Sequence, residues 1–179
     1  LVLNSTATPA LENVSGENWW SGNVLMNRDS IIGVRAASSL HLDGIISGTA
    51  NFTKVGPGTL SFGGVNNNTY NGQTFINEGT LLLAKPLVVT AVPGVLYTGT
   101  TAGLSATVAN LTSYQVVGNI IVNRGGLLNV LDQVENVDHL TLKEGGDVQT
   151  TTGVLSLKTG GSIQVLPGAV NDPSTISGN

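Results

Sequence analysis

The sequence has 179 residues, a mass of 18.3 kDa and a formal net charge of −4, and it contains no cysteine. Charged residues make up 10% of the chain and hydrophobic residues 40%, which excludes an intrinsically disordered chain, since disorder combines low hydrophobicity with high net charge. The absence of cysteine excludes a disulfide scaffold, thiolate metal ligands and cysteine nucleophiles. The acidic balance argues against nucleic acid or an anionic membrane as a partner.

Short runs that alternate apolar and polar residues occur along the whole chain, whereas helical spacing is nearly absent. Leu40-His41-Leu42, Leu140-Thr141-Leu142 and Ile163-Gln164-Val165 are examples of this period of two. The sequence therefore predicts an all-β protein. No membrane-spanning segment is predicted, because the most apolar stretch, residues 81–97, is interrupted by a lysine and two prolines. No signal peptide is predicted at the N-terminus.

A unit of strand, glycine- or alanine-containing bend and second strand recurs along the chain. The predicted first inward residues of the second strands are Leu40, Leu60, Leu81, Leu128, Val148 and Ile163. Their spacing is about 20 residues, apart from a double-length gap after Leu81 and a shorter step before Ile163. The long gap predicts a degenerate turn between Pro93 and Gly118, formed around residues 95–97 and 108–109.

Such a repeat is typical of a β-solenoid, in which one turn cannot bury its apolar side chains alone and stacked turns form continuous columns. We expect roughly seven to nine turns and a rod on the order of 40 Å long. The predicted organisation is an N-terminal lead or cap over residues 1–23, a solenoid over 24–166 with a repeat core at 52–83, and a C-terminal tail over 167–179. A β-sandwich is the main structural alternative, because it also uses short, regularly spaced strands.

Two stretches carry a resemblance to a known family: residues 52–62, with the sequence FTKVGPGTLSF, and residues 68–81, with NTYNGQTFINEGTL. They resemble the autotransporter-associated β-strand repeat of bacterial passenger domains and giant exported proteins, and weaker similarity extends over about residues 20–166. The resemblance implies a right-handed parallel β-helix with an extracellular or cell-surface location and a structural or display role. It implies no catalytic residue and no cofactor.

Five basic residues are predicted to lie at the end of a first strand or in the bend that follows it. They are Arg35, Lys54, Arg124, Lys143 and Lys158. Stacked turns would align them along one edge, where they could contact an anionic glycan or lipopolysaccharide. The alternative is that they are solvent-facing corner residues that limit lateral strand pairing.

The sequence offers one aromatic pair. Trp19 and Trp20 are expected either to hold the N-terminal lead against the first turn or to stack on a sugar. His41 is expected at an outward, exposed position. His139 follows Asp138, but no nucleophile-elbow pattern accompanies a Ser-His-Asp arrangement.

Three acidic residues, Asp132, Glu135 and Asp138, lie close together in sequence. Carboxylates in such a cluster could bind Ca²⁺ or act in polysaccharide cleavage. The spacing of known calcium loops is absent, so a solvated turn is the favoured interpretation and no metal site is predicted.

The favoured hypothesis is a noncatalytic structural or display segment of an exported bacterial surface protein or a self-assembling extracellular fibre. Its expected partners are other copies or adjoining repeats, through end-to-end stacking or strand addition, because open solenoid ends expose unpaired strand edges. An adhesin or glycan-binding module is the alternative, and a polysaccharide-degrading β-helix enzyme is a third. No cofactor, nucleic acid or membrane insertion by this segment is expected.

Overall fold

The computed structural model describes residues 1–6, 8–110, 112–167 and 172–178, which form nineteen β-strands and no helix. No helix in this part of the chain could therefore cross a membrane. In chain order the strands are β1 (Val2–Leu3), β2 (Leu11–Asn13), β3 (Glu17–Trp20), β4 (Val24–Met26), β5 (Ser30–Val34), β6 (Ser39–Leu42), β7 (Ile46–Gly48), β8 (Phe52–Val55), β9 (Thr59–Phe62), β10 (Thr74–Ile76), β11 (Gly79–Leu83), β12 (Leu96–Thr98), β13 (Ala106–Asn110), β14 (Ile120–Val122), β15 (Gly126–Leu131), β16 (Val134–Lys143), β17 (Asp147–Thr150), β18 (Val154–Leu166) and β19 (Thr175–Ser177).

The strands form three parallel sheets that stack as a β-solenoid of about seven turns, with roughly 22 residues per turn. The first long sheet has the order β2-β5-β8-β10-β12-β14-β16-β18, and the second long sheet has the order β3-β6-β9-β11-β13-β15-β17-β19. The short sheet contains β1, β4 and β7. The predicted all-β solenoid is confirmed, and the parallel ladders exclude the antiparallel sandwich.

Aliphatic side chains stack in columns from turn to turn, as the sequence predicts. One column of the second long sheet consists of Leu40, Leu60, Leu81, Val108, Leu128, Val148 and Ile176. Val108 belongs to the additional turn that the sequence predicts in the gap between Leu81 and Leu128. The assignment of Ile163 to this column is wrong, because Ile163 pairs with Leu140 in the first long sheet. The same alternation serves both long sheets, so the pattern alone does not say to which sheet a strand belongs.

The core lies between the two long sheets and consists almost entirely of aliphatic side chains, with few aromatic rings. Phe52 and Phe62 face each other across it, with ring centroids 5.1 Å apart in an edge-to-face arrangement. Tyr70 is also wholly buried, and its hydroxyl lies 2.6 Å from the hydroxyl of Thr74. Burial raises the pKa of Tyr70. Each buried ring adds a large apolar area to the turns in which it lies.

The third side of the solenoid forms a parallel ladder in the last two turns, where residues 134–137 of β16 pair with residues 154–157 of β18, and in the first three turns, through β1, β4 and β7. In the next turn, the Asn68 side chain replaces part of the ladder. Its Oδ1 accepts a hydrogen bond from the backbone N–H of Ile46 at 2.9 Å, and its Nδ2 donates to the carbonyl oxygen of Ala91 at 2.8 Å. Asn68 thus connects the turn before it with the turn after it, which satisfies backbone groups that a strand would otherwise pair.

The segment predicted as an N-terminal lead contains β1, β2 and β3, which pair in register with β4, β5 and β6 of the following turn. In the segment predicted as a tail, β19 pairs with β17 and extends the second long sheet. Residues 168–171 and 179 of that segment lie outside the described residues. The first segment therefore contributes an outermost strand to each of the three sheets, and the second segment contributes the outermost strand β19 of the second long sheet.

Candidate functional site

The basic residues do not form a single stripe. Arg35 is exposed and forms an ion pair with Glu12, with 2.8 Å between Nε and Oε1. Arg124 and Lys143 are half-buried and lie near the corner that leads to the second long sheet, Arg124 beyond the end of β14 and Lys143 as the last residue of β16. Lys158 lies at another corner, beside Asp138, because the register of β18 shifts there. The predicted alignment is wrong for Lys158, and glycan contact at these four residues stays a prediction.

Lys54 is not at a corner, and its prediction as a solvent-facing residue is wrong. It aligns with Ile32 and Ile76 in the first long sheet, at an inward position, and its side chain is wholly buried. The reason is strand alternation, since Lys54 follows the inward Phe52 by two residues. Lys54 is therefore removed from the candidate glycan contacts.

The ammonium group of Lys54 connects the bends of two consecutive turns. Its Nζ donates to the carbonyl oxygen of Gly56 at 2.7 Å and to the carbonyl oxygen of Glu78, one turn further along, at 2.9 Å. The side chain of Glu78 reaches back, so that its Oε2 accepts from the N–H of Gly56 at 3.1 Å. We call Lys54, Gly56, Glu78 and Gly79 the cross-turn lock.

Gly79 completes the cross-turn lock because it has no side chain. Its φ is 73°, in the left-handed region, and a Cβ there would lie 2.4 Å from the carbonyl oxygen of Gly56 and 2.7 Å from the Nζ of Lys54. Desolvation lowers the pKa of Lys54 to about 8, and the charge of Glu78 opposes this shift. The cross-turn lock can therefore hold two bends in register.

Trp19 and Trp20 lie on β3, the edge strand of the second long sheet. The ring of Trp19 is stacked on the ring of His41 in the next turn, with centroids 4.6 Å apart and planes within 7°. His41 points outward, as predicted, but it is half-buried rather than exposed, and its Nε2 lies 3.0 Å from Oε1 of Glu17. Trp19 thus contacts the neighbouring turn as one of the two hypotheses predicts, although 60% of Trp19 and 41% of Trp20 remain exposed.

His139 forms no Ser-His-Asp arrangement with Asp138. Its Nδ1 lies 2.9 Å from the hydroxyl of Ser162, whereas the Asp138 carboxylate forms an ion pair with Lys158 at 2.9 Å. Asp138, His139 and Lys158 line an open polar hollow of about 330 Å³, together with Asn119 and residues 159–161. Because Asp138 binds Lys158, no carboxylate orients the imidazole, and the arrangement lacks the third member of a triad.

The three acidic residues Asp132, Glu135 and Asp138 do not form one solvated turn. Asp132 is exposed and accepts a hydrogen bond from the side chain of Gln133, and Asp138 forms the ion pair described above. Glu135 is wholly buried. Within the described residues, no three His, Asp or Glu side chains come together in a way that could hold a metal ion.

Glu135 instead accepts hydrogen bonds from the preceding turn. Its Oε2 accepts from Nδ2 of Asn110 at 2.5 Å and from the N–H of Gln115 at 2.9 Å, while its Oε1 is 3.4 Å from the N–H of Val116. The pKa of Glu135 is raised, because the effect of burial exceeds the opposite effect of these hydrogen bonds, which favour the charged carboxylate. The sequence analysis does not predict this role. The signal that could have revealed it is the position of Glu135 two residues before the inward Val137, since residues two apart in a strand point to the same side.

Lys85 is a second buried cation that sequence reasoning did not select. Its Nζ donates to the carbonyl oxygen of Gly63 in the preceding turn, and its backbone N–H donates to Oε1 of Gln115 in the following turn at 3.2 Å. Burial lowers the pKa of Lys85, and the charge of Asp43 opposes this shift. Lys54, Lys85 and Glu135 therefore share one role, which is to satisfy backbone groups of adjacent turns where the strand ladder is interrupted.

The sheets and columns define a parallel β-solenoid whose buried polar side chains connect consecutive turns. Within it, residues 52–83 match the family model of the passenger-associated-transport-repeat. The matched stretch begins with the first residue of β8 and ends with the last residue of β11, so it includes the whole cross-turn lock. Comparison with curated proteins gives no match, and neither does comparison with solved structures.

Proposed function

We propose that this chain is a noncatalytic structural or display segment of an exported bacterial surface protein. The observation that carries the proposal is the continuous stack of strands from β2 to β18 and from β3 to β19, filled with wholly buried aliphatic columns. Each turn is held by backbone ladders along its length, so the stack resists bending and separates whatever is attached to its two ends.

The family match supports export to the cell surface. Residues 52–83 match a repeat that is named for passenger transport, and they form one part of the stack without any separate domain. The other turns continue the same two long sheets on both sides of the match. We therefore assign the stack as a whole to an extracellular, surface-exposed location.

The polar groups support a role without catalysis. Glu135 and Lys54 are buried and bonded to backbone groups, and Asp138 is paired with Lys158. Catalysis of glycoside cleavage needs two carboxyl groups that face the same substrate. Asp132, Glu135 and Asp138 do not offer such a pair, because the middle residue points into the core and the others are engaged outside it.

Surface display tests the proposal. The chain would be placed between a bacterial signal peptide and an outer-membrane anchor, and its arrival would be measured with an antibody on intact cells, followed by added protease. We expect the wild-type chain to reach the surface and to resist the protease. Leu81→Asp, which places a charge in the wholly buried column, should be degraded, whereas Leu82→Asp at the adjacent outward position should behave as wild type.

Two outcomes would contradict the proposal. The first is retention of the wild-type chain inside the cell while an unrelated passenger on the same anchor is displayed. The second is surface arrival in a form that the protease degrades as quickly as Leu81→Asp. The second result would show that the displayed chain is not a folded rod.

A further inference from the structure

The corners that join the first long sheet to the second differ in length, and this leaves a hollow on the outer surface of the stack. The corner before β11 consists of residues 77–78, whereas the corners one turn before and one turn after it consist of residues 56–58 and 99–105. The short corner therefore lies between two longer ones. The hollow has a volume of about 200 Å³ and is lined by Pro57, Glu78, Gly79, Thr80, Ser105 and Thr107. We call it the corner notch.

The corner notch lies in the middle of the stack. Its residues belong to three consecutive turns, whose strands β9, β11 and β13 each pair with a strand on both sides. Backbone hydrogen bonds hold these turns together at the notch: the N–H of Gly79 donates to the carbonyl oxygen of Ser105 at 2.9 Å, and the N–H of Thr80 donates to that of Gly58 at 3.2 Å. The walls of the notch are thus built by turns that are paired throughout.

Three hydroxyl groups of the corner notch are available to a ligand. Thr80 and Thr107 are neighbours in the ladder between β11 and β13, and both lie at outward positions. Ser105 is exposed on the longer corner beside them. Among the described residues, none of the side-chain hydrogen bonds at these corners engages the three hydroxyls. Each can therefore both donate and accept a hydrogen bond.

Glu78 adds a carboxylate whose position is fixed by the cross-turn lock. Its Oε2 accepts from the N–H of Gly56, which leaves Oε1 as an acceptor at the notch. The ammonium group of Lys54 lies behind the same corner, where it donates to the backbone carbonyl oxygen of Glu78. The opposite charges of Lys54 and Glu78 offset each other, so the notch attracts neither cations nor anions strongly.

This set of groups fits an uncharged sugar. Of the lining residues that the structure describes, none is basic, so an anionic ligand would meet the Glu78 carboxylate without a counter-charge. One carboxylate is also too few for Ca²⁺, which takes six to eight oxygen ligands. Sugar hydroxyls match the hydroxyl and carboxylate groups, and Pro57 offers apolar surface to the C–H groups of the ring. The volume is below the roughly 300 Å³ of sites for drug-sized ligands, so it suits a single ring.

A row of hydroxyl groups leads away from the corner notch along the rod axis. Thr80 pairs with Thr59 in the preceding turn, and Thr59 pairs with Ser39 one turn before that. All three lie at outward positions of the second long sheet and are half-buried. We call them the hydroxyl ladder. Because neighbouring strands are about 4.8 Å apart, a sugar chain with one ring in the notch can form further hydrogen bonds along this ladder.

From these observations we propose that the corner notch and the hydroxyl ladder bind an uncharged oligosaccharide. One ring occupies the notch, where Thr80 and Thr107 bond to its hydroxyls and Oε1 of Glu78 accepts from one of them. The next rings extend over Thr59 and Ser39. This binding goes beyond the proposed structural role, and it is separate from the predicted contact at the exposed basic residues because it needs no cation.

NMR titration of the ¹⁵N-labelled chain tests the inference. The probes are the methyl glycosides of glucose, galactose and mannose, in both anomeric forms, at up to about 100 mM, because one ring in an open site should bind with a Kd on the order of 10 mM. We expect at least one of them to shift the amide signals of Gly79, Thr80 and Thr107. A tetrasaccharide of the same sugar, tested with both anomeric linkages, should bind about tenfold more tightly. Methyl glucuronide should bind about tenfold more weakly, since its carboxylate meets Glu78.

Substitutions by valine remove a hydroxyl and keep the shape of the side chain. Thr80→Val and Thr107→Val should each weaken binding of the tetrasaccharide about fivefold, because one hydrogen-bonding group is lost. Thr59→Val should weaken binding of the tetrasaccharide but not of the methyl glycoside. Thr141→Val is the matched control, because Thr141 is also an outward, half-buried threonine but lies on the first long sheet. It should bind as wild type, and the amide spectrum of each variant shows whether it is folded.

Three results would overturn the inference: no neutral glycoside shifts the amides of the notch, methyl glucuronide binds as tightly as the neutral glycosides, or Thr80→Val binds as tightly as Thr141→Val. Tetrasaccharide binding that Thr59→Val leaves unchanged would overturn the role of the hydroxyl ladder. If the chain is displayed in a protease-resistant form but binds no glycoside, the inference fails and the proposed function stands. If it is not displayed as a folded rod, the proposed function fails whatever the titration shows.

Discussion

Lys54 is the residue on which the cross-turn lock depends. Its ammonium group has three N–H donors, and it donates hydrogen bonds to the carbonyl oxygens of Gly56 and Glu78, which lie in different turns. A hydrophobic side chain of similar length would fill the same volume but would leave both oxygens without that donor. The lysine therefore contributes through hydrogen bonds that link two turns rather than through its charge.

We predict that Lys54→Met lowers the free energy of unfolding by about 2 kcal/mol, because two buried carbonyl oxygens lose their donor. Urea denaturation followed by circular dichroism measures the change. Lys143→Met is the matched control and should change the free energy of unfolding by less than about 0.5 kcal/mol, since Lys143 is half-exposed. Equal effects of the two substitutions would contradict the assigned role of Lys54.

The pKa of Lys54 gives a second prediction. Its pKa is about 8 in the folded protein against 10.5 for an unperturbed lysine, so between these pH values the unfolded chain binds more protons than the folded one. The free energy of unfolding of the wild type should therefore rise relative to that of Lys54→Met as the pH increases from about 8 to 9.5. Urea titrations at several pH values measure this difference. A constant or falling difference would show that Lys54 is not desolvated.

The sequence predicts most of the buried apolar column correctly, Ile163 excepted, but it does not predict which charged residues are buried. The sequence gives no direct sign that Lys54, Lys85 and Glu135 are buried, because charged side chains are rarely fully buried. Lys54 and Glu135 lie at inward positions of β8 and β16. Lys85 lies just after β11, two residues beyond the inward Leu83. What the sequence does not display is the set of backbone groups that each side chain meets, since those groups belong to other turns.

At the scale of the strand, the alternation of β11 illustrates how one element serves two environments. Leu81 and Leu83 are wholly buried, whereas Leu82 between them points outward and is half-buried. Leu81 contacts its column partners Leu60 and Val108 in the turns before and after it. Loss of its side chain would therefore open a cavity between three turns.

We predict that Leu81→Ala lowers the free energy of unfolding by about 3 kcal/mol, which combines the lost transfer free energy with the cost of a cavity. Leu82→Ala removes the same atoms from an outward position and should cost less than about 1 kcal/mol. Urea denaturation of both variants measures the difference. A larger loss for Leu82→Ala would reverse the orientation of β11 and, with it, the register of the second long sheet.

The strands themselves could be predicted well, because each short alternating run became part of a ladder. The sheet to which a run belongs could not always be predicted, as Ile163 shows. β16 and β18 each run along the third side of the solenoid and then continue into the first long sheet. Each is therefore one long strand where the repeat predicts two short strands separated by a bend. A pattern of period two contains no information about the direction in which the chain turns.

At the scale of the whole molecule, the stack behaves as a series of turns in which each contacts only its neighbours. Its stability then depends on every interface between turns, and the weakest one sets where the structure opens. The third side of the turns between β7 and β16 is irregular, and residues there expose apolar side chains, with Leu87 at 59% and Val88 at 69%. Val88 also has a φ of 58°, a conformation that β-branched residues avoid.

We predict that amide hydrogens of residues 86–90 exchange at least about tenfold faster than those of β8 to β11. The physical reason is that few backbone ladders and little buried apolar surface hold this segment. Hydrogen exchange measured by mass spectrometry provides the comparison at neutral pH. Uniform protection along the chain would indicate that the irregular side is as stable as the two long sheets.

The corner between the two long sheets varies in length without disturbing either sheet. It contains residues 56–58 after β8, residues 77–78 after β10 and residues 99–105 after β12, while the strands on both sides stay in parallel register. We therefore expect a foreign peptide inserted within residues 99–105 to project from the solenoid and to leave its aliphatic core unchanged. A longer corner there should therefore cost little free energy of unfolding, because closing a somewhat longer surface loop adds only a small entropic penalty.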